Sequence, residues 1–342
     1  MRNKLNYDDV LIIPQYSTIE TRKGIDLITK ATKRVKIKIP IITAPMDTVT
    51  EGTMASTIGA LGGLGVIHRY CTIEEQQDHV ITGLLGGGPV AAAIGVRGDW
   101  QQRAENLAAV GALVLVIDVA HADHKFVHNA LMHLKTDSGF RTIDIMVGNI
   151  ATASAAERLA ELGADGLRVG VGPGAHCTTR VETGVGYPQL SAIIDITETL
   201  DKRSLKVPIC ADGGIRFAGD VVKALAAGAS TIMAGSLFAA TKESPGDIMM
   251  VGYGTARQKV KEYRGMSSYN AQISDNRRGD HVEGISKFLP YRGPVEEIIK
   301  NLQDGIRSGL SYVGANNLTE LRSLAQFVQV SATDNHLPKM SM

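Results

Sequence analysis

Short apolar segments recur along the chain, and each is followed by a segment with helix-like character. The eight apolar runs are IPIITAP (39–45), GGLGVIH (62–68), VAAAIGV (90–96), ALVLVID (112–118), IDIMVGN (143–149), GLRVGVG (166–172), VPICADG (207–213) and STIMAGS (230–236). Two of the intervening segments, TASAAERLAELGA and AGDVVKALAAGA, carry apolar residues at helical spacing and reach a glycine at their ends. Continuously apolar strands that alternate with helices predict a parallel sheet buried on both faces.

Eight such units predict an α/β fold of the (β/α)8 or TIM-barrel type, in a single domain. A doubly wound open sheet is the alternative, but the count of eight and the absence of an early GxGxxG motif favour the barrel. We expect the barrel to occupy residues 1–330 and residues 331–342 to form a flexible tail. In this fold, chemistry takes place at the carboxyl ends of the strands.

Composition narrows the possible functions. The chain has 342 residues and a formal net charge of +1, which provides no broad basic field for nucleic acid. Neither a signal-peptide core nor an apolar run of membrane-spanning length occurs, so we expect no membrane contact. The three cysteines are too few and too scattered for a disulfide framework or a zinc site, which predicts a reducing, cytoplasmic setting. Cys210 lies within an apolar strand and is expected to be a buried core residue.

Polar residues close several of the apolar runs. Each of them taken alone could simply cap the helix that follows. A whole ring of them at the carboxyl ends of barrel strands is better explained as an active site. The ring consists of His68, Asp118, Asn149, the loop around Cys177, Asp212 and Ser236.

The loop GVGPGAHCTTR (170–180) follows the sixth strand. Gly170, Gly172 and Gly174 allow backbone groups to converge, and converging carbonyls can hold a cation whereas converging amides can hold an anion. Cys177 lies at the loop tip, where an exposed thiolate can be stabilised by local amides. The alternative is a turn that carries a passive small residue.

The loops after the seventh and eighth strands favour a phosphorylated sugar. Gly214, Gly235 and Ser236 stand at the positions where this fold commonly binds phosphate with backbone amides and helix N-termini. Asp212 would repel a phosphate but suits a pair of sugar hydroxyls. These loops therefore predict a phosphorylated ribose whose base lies near Cys177.

Taken together, these motifs resemble the IMP dehydrogenase and GMP reductase family. The resemblance runs from YDDVLIIPQYST and APMDTVTE to YRGPVEEII and SYVGANNLTEL, and its most specific part pairs GVGPGAHCTTR with ADGGIR and YRGMSS. It implies a purine nucleotide substrate, GMP or IMP, a nicotinamide cofactor and a covalent intermediate at C2 of the purine. Cys177 matches the nucleophile of the family.

Residues after the cysteine favour the reductases of the family, which expel ammonia from GMP and use NADPH. Dehydrogenases carry a long flap with an Arg-Tyr pair that activates water, and the short flap here, about 265–292, has no such pair. Thr179 and Glu283, in HVEGISKF, match the reductase pattern. Against this, GGLGVIH, DGGIR and ESPGD read closer to the dehydrogenase. An IMP dehydrogenase and a catalytically silent nucleotide-binding barrel therefore remain alternatives.

The resemblance also implies a role for each site residue. Cys177, Thr179 and Glu283 would be catalytic. The substrate would contact Asp212, Gly214, Gly235, Ser236, Tyr263, Met266 and Ser267, and the cofactor would contact Asp118, Asn149, Ser268 and Arg278. The carbonyls of Gly170, Gly172 and Gly174 would hold potassium. NADPH and NADH are not distinguished by any local motif.

Two features depart from the family pattern, and one property is expected from it. Ala175 replaces a serine whose hydroxyl usually binds the substrate phosphate, which removes a charge-assisted hydrogen bond. The second helix runs directly into the third strand, in TIEEQQDHVITGLLGGGPVAAAIGV, so no inserted CBS regulatory module is present. The resemblance also implies a homotetramer.

Overall fold

The computed structural model describes residues 4–174, 179–252, 257–265 and 286–330. Its strands are β1 Val10–Ile12, β2 Thr29–Lys30, β3 Lys36–Ile37, β4 Ile41–Thr43, β5 Leu64–Ile67, β6 Val90–Ile94, β7 Val114–Asp118, β8 Asp144–Ile150, β9 Gly166–Val169, β10 Ile209–Asp212, β11 Thr231–Ala234, β12 Met249–Val251, β13 Gln258–Arg264, β14 Ser286–Pro290 and β15 Phe327–Gln329. Its α-helices are α1 Gly52–Ala60, α2 Ile73–Leu84, α3 Trp100–Ala109, α4 Lys125–Thr136, α5 Ala153–Glu161, α6 Thr179–Thr183, α7 Gln189–Lys202, α8 Ala218–Ala226, α9 Val295–Val313 and α10 Leu318–Leu324. The predicted tail, 331–342, lies outside the described residues.

Strands β4 to β11 form a closed parallel barrel, which confirms the predicted fold. Their order around the barrel is β10-β11-β4-β5-β6-β7-β8-β9. Each of the eight apolar runs coincides with one of these strands, with β8 extending one residue past its run, and helices alternate with the strands along the chain. No further module interrupts the chain between α2 and β6, as the sequence predicted.

The barrel interior and its outer layer use alternate residues of the same strand. In β7, Val114 and Val116 belong to the small cluster inside the barrel, whereas Leu115 and Ile117 belong to the large cluster that includes the surrounding helices. Such alternation follows from the two-residue period of a strand. Cys210 is fully buried in the inner cluster, as predicted.

A short hairpin of β2 and β3 lies at the amino ends of the barrel strands. Its turn is held by Asp144, the first residue of β8, whose carboxylate accepts hydrogen bonds from Thr32 Oγ1 at 2.6 Å and from Arg34 Nε at 2.5 Å. Thr29 Oγ1 donates to the Ser230 carbonyl at 2.8 Å, just before β11. The Lys33 amide also donates to the Asp165 carbonyl at 2.9 Å, just before β9, so the hairpin is attached to the barrel at several points.

A three-stranded antiparallel sheet, β12-β13-β14, follows the barrel strands. Strand β13 ends directly before the predicted flap, about 265–292, and β14 lies within its second described part, whereas residues 266–285 lie outside the described residues. At the end of β13, Arg264 Nε donates to Asp47 Oδ2 at 3.0 Å. This ion pair connects the sheet to the loop that follows β4.

Strand β1 pairs antiparallel with β15, so residues near both ends of the described chain meet. Over the described ranges, every helix is too short or too polar to cross a membrane.

Candidate active site

A cavity of about 790 Å³ opens at the carboxyl ends of the barrel strands. Its volume lies within the range of small-molecule sites, about 300–1,000 Å³. Eleven of the residues predicted from the sequence line it, namely Asp118, Asn149, Gly170, Gly172, Gly174, Thr179, Asp212, Gly214, Gly235, Ser236 and Tyr263. The structure therefore brings most of the predicted site residues together around one cavity.

Six further residues that the sequence placed in the site lie outside the described residues. They are Cys177, Met266, Ser267, Ser268, Arg278 and Glu283. The stretch that contains Cys177 is flanked by Gly174 and Thr179, which both line the cavity, and the flap stretch is preceded by Gly265, which also lines it.

His68 directly follows the second barrel strand, β5, but it does not line the cavity. Its ring is buried, its Nε2 lies 3.3 Å from Glu51 Oε1, and its Nδ1 accepts a hydrogen bond from the Tyr70 amide at 3.1 Å. These contacts support the alternative that we considered for each strand-end residue, a local structural role.

Arg168 is the central charged residue of the site, and sequence reasoning missed it. It lies in β9, is 9% exposed, and donates to Asp118 Oδ1 at 2.6 Å and to Asp212 Oδ2 at 2.9 Å. Burial alone would lower the pKa of Arg168, but the two carboxylates outweigh it and raise that pKa. The guanidinium therefore stays charged and joins a predicted cofactor residue, Asp118, to a predicted sugar-binding residue, Asp212.

Asn149 is part of the same network. Its Nδ2 donates to the Gly170 carbonyl at 2.6 Å and to Asp212 Oδ2 at 2.7 Å. Its Oδ1 is buried and accepts no hydrogen bond from the residues that the structure describes. Since a buried acceptor without a donor is costly, this oxygen is a ready partner for an N–H or O–H group of a ligand.

The turns after β10 and β11 contain glycines at positions where a side chain would be strained or would collide with neighbouring atoms. Gly213 and Gly214 have φ values of +88° and +76°, a conformation that other residues rarely adopt. A Cβ on Gly235 would lie 2.8 Å from Met46 Sδ and 2.9 Å from the Tyr263 hydroxyl. Only glycine therefore fits at position 235 without moving Met46 or Tyr263.

The loop after β11 has a second support that the sequence did not reveal. Arg292 donates to the Ser236 carbonyl at 2.8 Å and to the Leu237 carbonyl at 3.1 Å. Burial lowers the pKa of this guanidinium relative to its usual value. Arg292 thus holds the loop through two backbone carbonyls without lining the cavity itself.

The N-terminal segment lines the cavity through residues 6–9, to which the sequence analysis assigned no role in the site. Asn6 Oδ1 accepts a hydrogen bond from the Gln189 amide at 3.1 Å, and Leu5 N donates to Ser191 Oγ at 2.8 Å. Tyr7 is 3% exposed, and burial raises the pKa of its hydroxyl. The segment is thus fixed to α7, which follows the cysteine loop.

Arg69 and Tyr70 border the cavity near Asp118. The Arg69 guanidinium carbon lies 4.8 Å from the centre of the Tyr70 ring, and Arg69 Nε lies 3.8 Å from Asp118 Oδ2. Both residues directly follow His68 in the sequence. Their position just after a barrel strand could therefore have identified them as residues of the site.

The two cysteines within the described ranges do not resemble nucleophiles. Burial raises the pKa of Cys71 and of Cys210 to about 12, so both thiols stay protonated at neutral pH. No group of three or more His, Cys, Asp or Glu side chains that could hold a metal occurs in the described part of the chain.

Comparison with known proteins identifies a family over nearly the whole chain. The IMP dehydrogenase / GMP reductase domain matches residues 4–336. The chain is 31% identical to an inosine-5'-monophosphate dehydrogenase of Nitrosopumilus maritimus, covering 96% of each protein. It is also 31% identical to a GMP reductase of Leishmania donovani, covering 96% of this chain and 94% of the relative, and 35% identical to an inosine-5'-monophosphate dehydrogenase of Cryptosporidium parvum, covering 96% and 92%.

Among solved structures, a cysteine-to-alanine variant of GMP reductase from Trypanosoma brucei, crystallised with guanosine 5'-monophosphate, superimposes with a TM-score of 0.92. The two sequences are 30% identical, and the match covers 98% of this chain and 97% of the other. The fold is thus that of the IMP dehydrogenase / GMP reductase family.

Proposed function

We propose that this chain, which belongs to the IMP dehydrogenase / GMP reductase family, is a reductase that converts GMP to IMP and ammonia with NADPH. Membership makes it an oxidoreductase of purine metabolism. The relatives carry both family names at similar identity, so the choice between the two activities rests on the residues of this chain.

The observation that supports the reductase best is the position of Thr179. This residue opens α6, lines the cavity, and follows the predicted nucleophile by two positions. Chain connectivity alone limits the distance between the Cα atoms of Cys177 and Thr179 to about 7 Å. A hydroxyl at this position of the cavity would serve the release of ammonia, because the leaving amine must gain a proton.

The substrate would lie across the ends of β10 and β11. Its phosphate would bind at the backbone of Gly214 and Gly235 and at Ser236, with Tyr263 beside it. Asp212 would accept hydrogen bonds from the ribose hydroxyls, since its Oδ2 is already held by Arg168 and Asn149 and its carboxylate is thereby oriented. Met266 and Ser267 would contact the base.

The chemistry would begin with the Cys177 thiolate attacking C2 of the purine and forming a C–S bond. Thr179 and Glu283 would then deliver the proton with which the amino group at C2 departs as ammonia, leaving a thioimidate on the enzyme. Addition of a hydride at C2, followed by cleavage of the C–S bond, gives IMP and returns the thiolate.

The residues around Asn149 suit a nicotinamide cofactor. Its buried Oδ1 needs a donor, which the carboxamide of a nicotinamide has, and the Asp118 and Arg168 side chains beside it are fixed by their ion pair. NADPH would supply the hydride when bound there. Ser268 and Arg278 would complete this side of the site.

Three further predictions extend this function. Potassium would bind the carbonyls of Gly170, Gly172 and Gly174, although the Gly170 carbonyl already accepts the Asn149 amide and has one remaining lone pair to offer. A homotetramer and a cytoplasmic location are expected from the resemblance and from the cysteine usage.

The second candidate is an IMP dehydrogenase that lacks the regulatory module. It is favoured by the 35% identity to the Cryptosporidium parvum enzyme, higher than the identity to the Leishmania donovani reductase. In that reaction water, rather than an incoming hydride, would attack the enzyme-bound intermediate.

A paired spectrophotometric assay distinguishes these functions. With GMP and NADPH, we expect the absorbance of the reduced nicotinamide to fall, whereas a rise with IMP and NAD would identify the dehydrogenase. Cys177→Ala should abolish turnover while Cys71→Ala, a control with an unreactive thiol, should keep it. If neither pair reacts although GMP raises the melting temperature, the chain is a nucleotide-binding barrel without catalysis.

A further inference from the structure

A second cavity, of about 530 Å³, lies at the opposite end of the barrel from the candidate active site. It is bounded by the β2–β3 hairpin, by the loops that lead into β10 and β11, and by α10. These are the amino ends of the strands, so no residue of the candidate active site takes part. A site here would therefore bind its ligand independently of the reaction described above.

The cavity is lined by five basic residues and one acidic residue. Two of the five have acidic partners, since Lys33 Nζ lies 4.0 Å from Asp165 and Arg322 pairs with Asp201. The ammonium groups of the other three, Lys30, Lys36 and Lys206, form no hydrogen bond or ion pair with any residue that the structure describes. Three uncompensated positive charges thus face one cavity.

Two of these lysines face each other directly across the hairpin. Lys30 and Lys36 are register partners in the antiparallel pair of β2 and β3. Side chains at such positions emerge on the same face with Cβ atoms about 4.5–5.5 Å apart, and like charges placed there repel. An anion between the two ammonium groups would remove this repulsion.

Helix capping does not account for the three lysines. The carboxyl ends of α7 and α8 lie beside the cavity, and lysines often donate to carbonyls at such ends. None of the three ammonium groups donates to any described carbonyl, however, so the three lysines do not cap these helix ends.

The rest of the wall combines apolar side chains with several hydroxyls. Leu200, Val207 and Leu225 are buried, and the half-buried Leu205 and Leu318 provide apolar surface on which a ring could pack. Thr197 also lines the cavity, is 7% exposed, and has a buried Oγ1 without a hydrogen-bond partner among the described residues. Inorganic phosphate would leave this wall and this hydroxyl unused.

We propose that this cavity binds a small molecule that carries two or more phosphate groups and an apolar or aromatic ring, such as a nucleoside di- or triphosphate. The phosphates would lie between Lys30, Lys36 and Lys206, and the ring would pack on the leucines. The volume is sufficient for a ligand of this size. The site is separate from the nucleotide site proposed at the other end of the barrel.

Titration calorimetry of the full chain with ATP, and separately with inorganic tripolyphosphate, tests the proposal. GMP is kept at saturation so that the active-site cavity is filled. Wild type should bind both probes, ATP more tightly, and K36Q/K206Q should bind each of them roughly tenfold more weakly for each lysine lost. Lys300→Gln, a control at an exposed lysine of α9, should bind as wild type does.

Melting curves of each variant show whether it is folded, and Lys30→Gln provides an independent second variant. Failure of wild type to bind either probe, or equal affinities of wild type and K36Q/K206Q, would overturn the proposal. Displacement of the probes by NADPH would assign them to the active-site cavity and would overturn the proposal as well. Equal affinity for ATP and tripolyphosphate would show that no ring packs on the apolar wall.

Discussion

At the residue scale, Arg168 decides how the candidate site is held together. Its guanidinium lies between Asp118 and Asp212 in a largely buried position, so each carboxylate has a fixed orientation and a compensated charge. Removing one partner of a buried pair leaves the other charge without compensation, which costs more than the pair itself contributes.

We therefore expect Arg168→Met to lower the free energy of unfolding by about 3–5 kcal/mol, because two buried carboxylates lose their cation. Turnover should fall as well, since Asp118 and Asp212 line the cavity with it. Urea unfolding measured beside initial rates checks both effects. Arg203→Met is the matched control, since Arg203 is 63% exposed and its pair with Glu157 should contribute at most about 1 kcal/mol.

A second variant separates charge from geometry at the same position. Arg168→Lys keeps the positive charge but cannot donate to both carboxylates in the fixed geometry of a guanidinium. Compared with Arg168→Met, Arg168→Lys should recover part of the free energy of unfolding and a smaller part of the turnover rate. If Arg168→Met unfolds at the same urea concentration as Arg203→Met, the network does not stabilise the fold.

The sequence predicted Asp118, Asn149 and Asp212 because each ends an apolar run, and strand ends in a barrel face the site. It did not predict Arg168, because this residue lies inside the run GLRVGVG, where position in the strand predicts a core side chain. A charged residue within an otherwise apolar strand was the available signal. The charge of Arg168 points to the site only once the structure shows that two other strands, β7 and β10, bring the carboxylates of Asp118 and Asp212 next to it.

At the scale of the element, the turns after the strands are shaped by the absence of side chains. We expect Gly235→Ala to raise the KM for the nucleotide about tenfold, because the new Cβ would push against Met46 and the Tyr263 hydroxyl and displace one phosphate contact. The kcat should change less, since Cys177 and Thr179 follow a different barrel strand, β9. Steady-state kinetics with the nucleotide varied measures this difference.

Gly219→Ala is the control for that substitution. A Cβ on Gly219 meets no atom within 4 Å, and this residue lies exposed in α8. Alanine should therefore leave the kinetic constants unchanged and stabilise the helix by about 0.5–1 kcal/mol. Equal KM values for the two variants would show that the turn after β11 does not contact the nucleotide.

The Asp144 carboxylate anchors the turn of the β2–β3 hairpin, and its contribution to stability should depend on pH. Burial alone would raise the pKa of Asp144, but hydrogen bonds from Thr32 and from the backbone and guanidinium of Arg34 outweigh burial and lower it. A lowered pKa means that the stabilisation is complete above the unfolded-state pKa of about 4 and is lost as the pH falls through the folded-state value.

We expect Asp144→Asn to cost about 1–3 kcal/mol at neutral pH, because it weakens charge-assisted hydrogen bonds. The difference in unfolding free energy between wild type and this variant should shrink below about pH 4, as the wild-type carboxyl takes up a proton. Urea unfolding at a series of pH values measures it. A difference that is constant down to pH 2 would contradict an ionised Asp144 as the anchor.

The eight barrel strands could be predicted because a parallel strand buried on both faces is apolar throughout. The strands outside the barrel could not, since they are short and partly exposed. Met249–Val251 is exposed along its whole length, and the pairing of Val10–Ile12 with Phe327–Gln329 joins segments that are more than 300 residues apart. Neither the burial pattern nor local turn signals carry information about such contacts.

At the scale of the whole molecule, the two ends of the described chain support the candidate site together. Strand β1 follows directly after residues 6–9, which line the cavity, and β15 pairs with it. The Val330 amide donates to the Asp9 carbonyl at 3.0 Å, and the Ile13 amide donates to the Gln326 carbonyl at 2.8 Å. The C-terminal strand thus holds the N-terminal segment against the barrel, although it does not itself reach the cavity.

A pair of truncations tests this connection. A chain that ends at Ala325 loses β15, and these two hydrogen bonds alone should cost about 1–3 kcal/mol. The KM for the nucleotide should rise too, because residues 6–9 lose their support. A chain that ends at Val330 keeps the pairing and should match the full chain in melting temperature and kinetics. If both truncated chains keep wild-type kinetics, the contacts with α7 and α8 are sufficient to hold the N-terminal segment in the site. These contacts join α7 to Leu5 and Asn6, and Lys223 of α8 to the Tyr7 carbonyl.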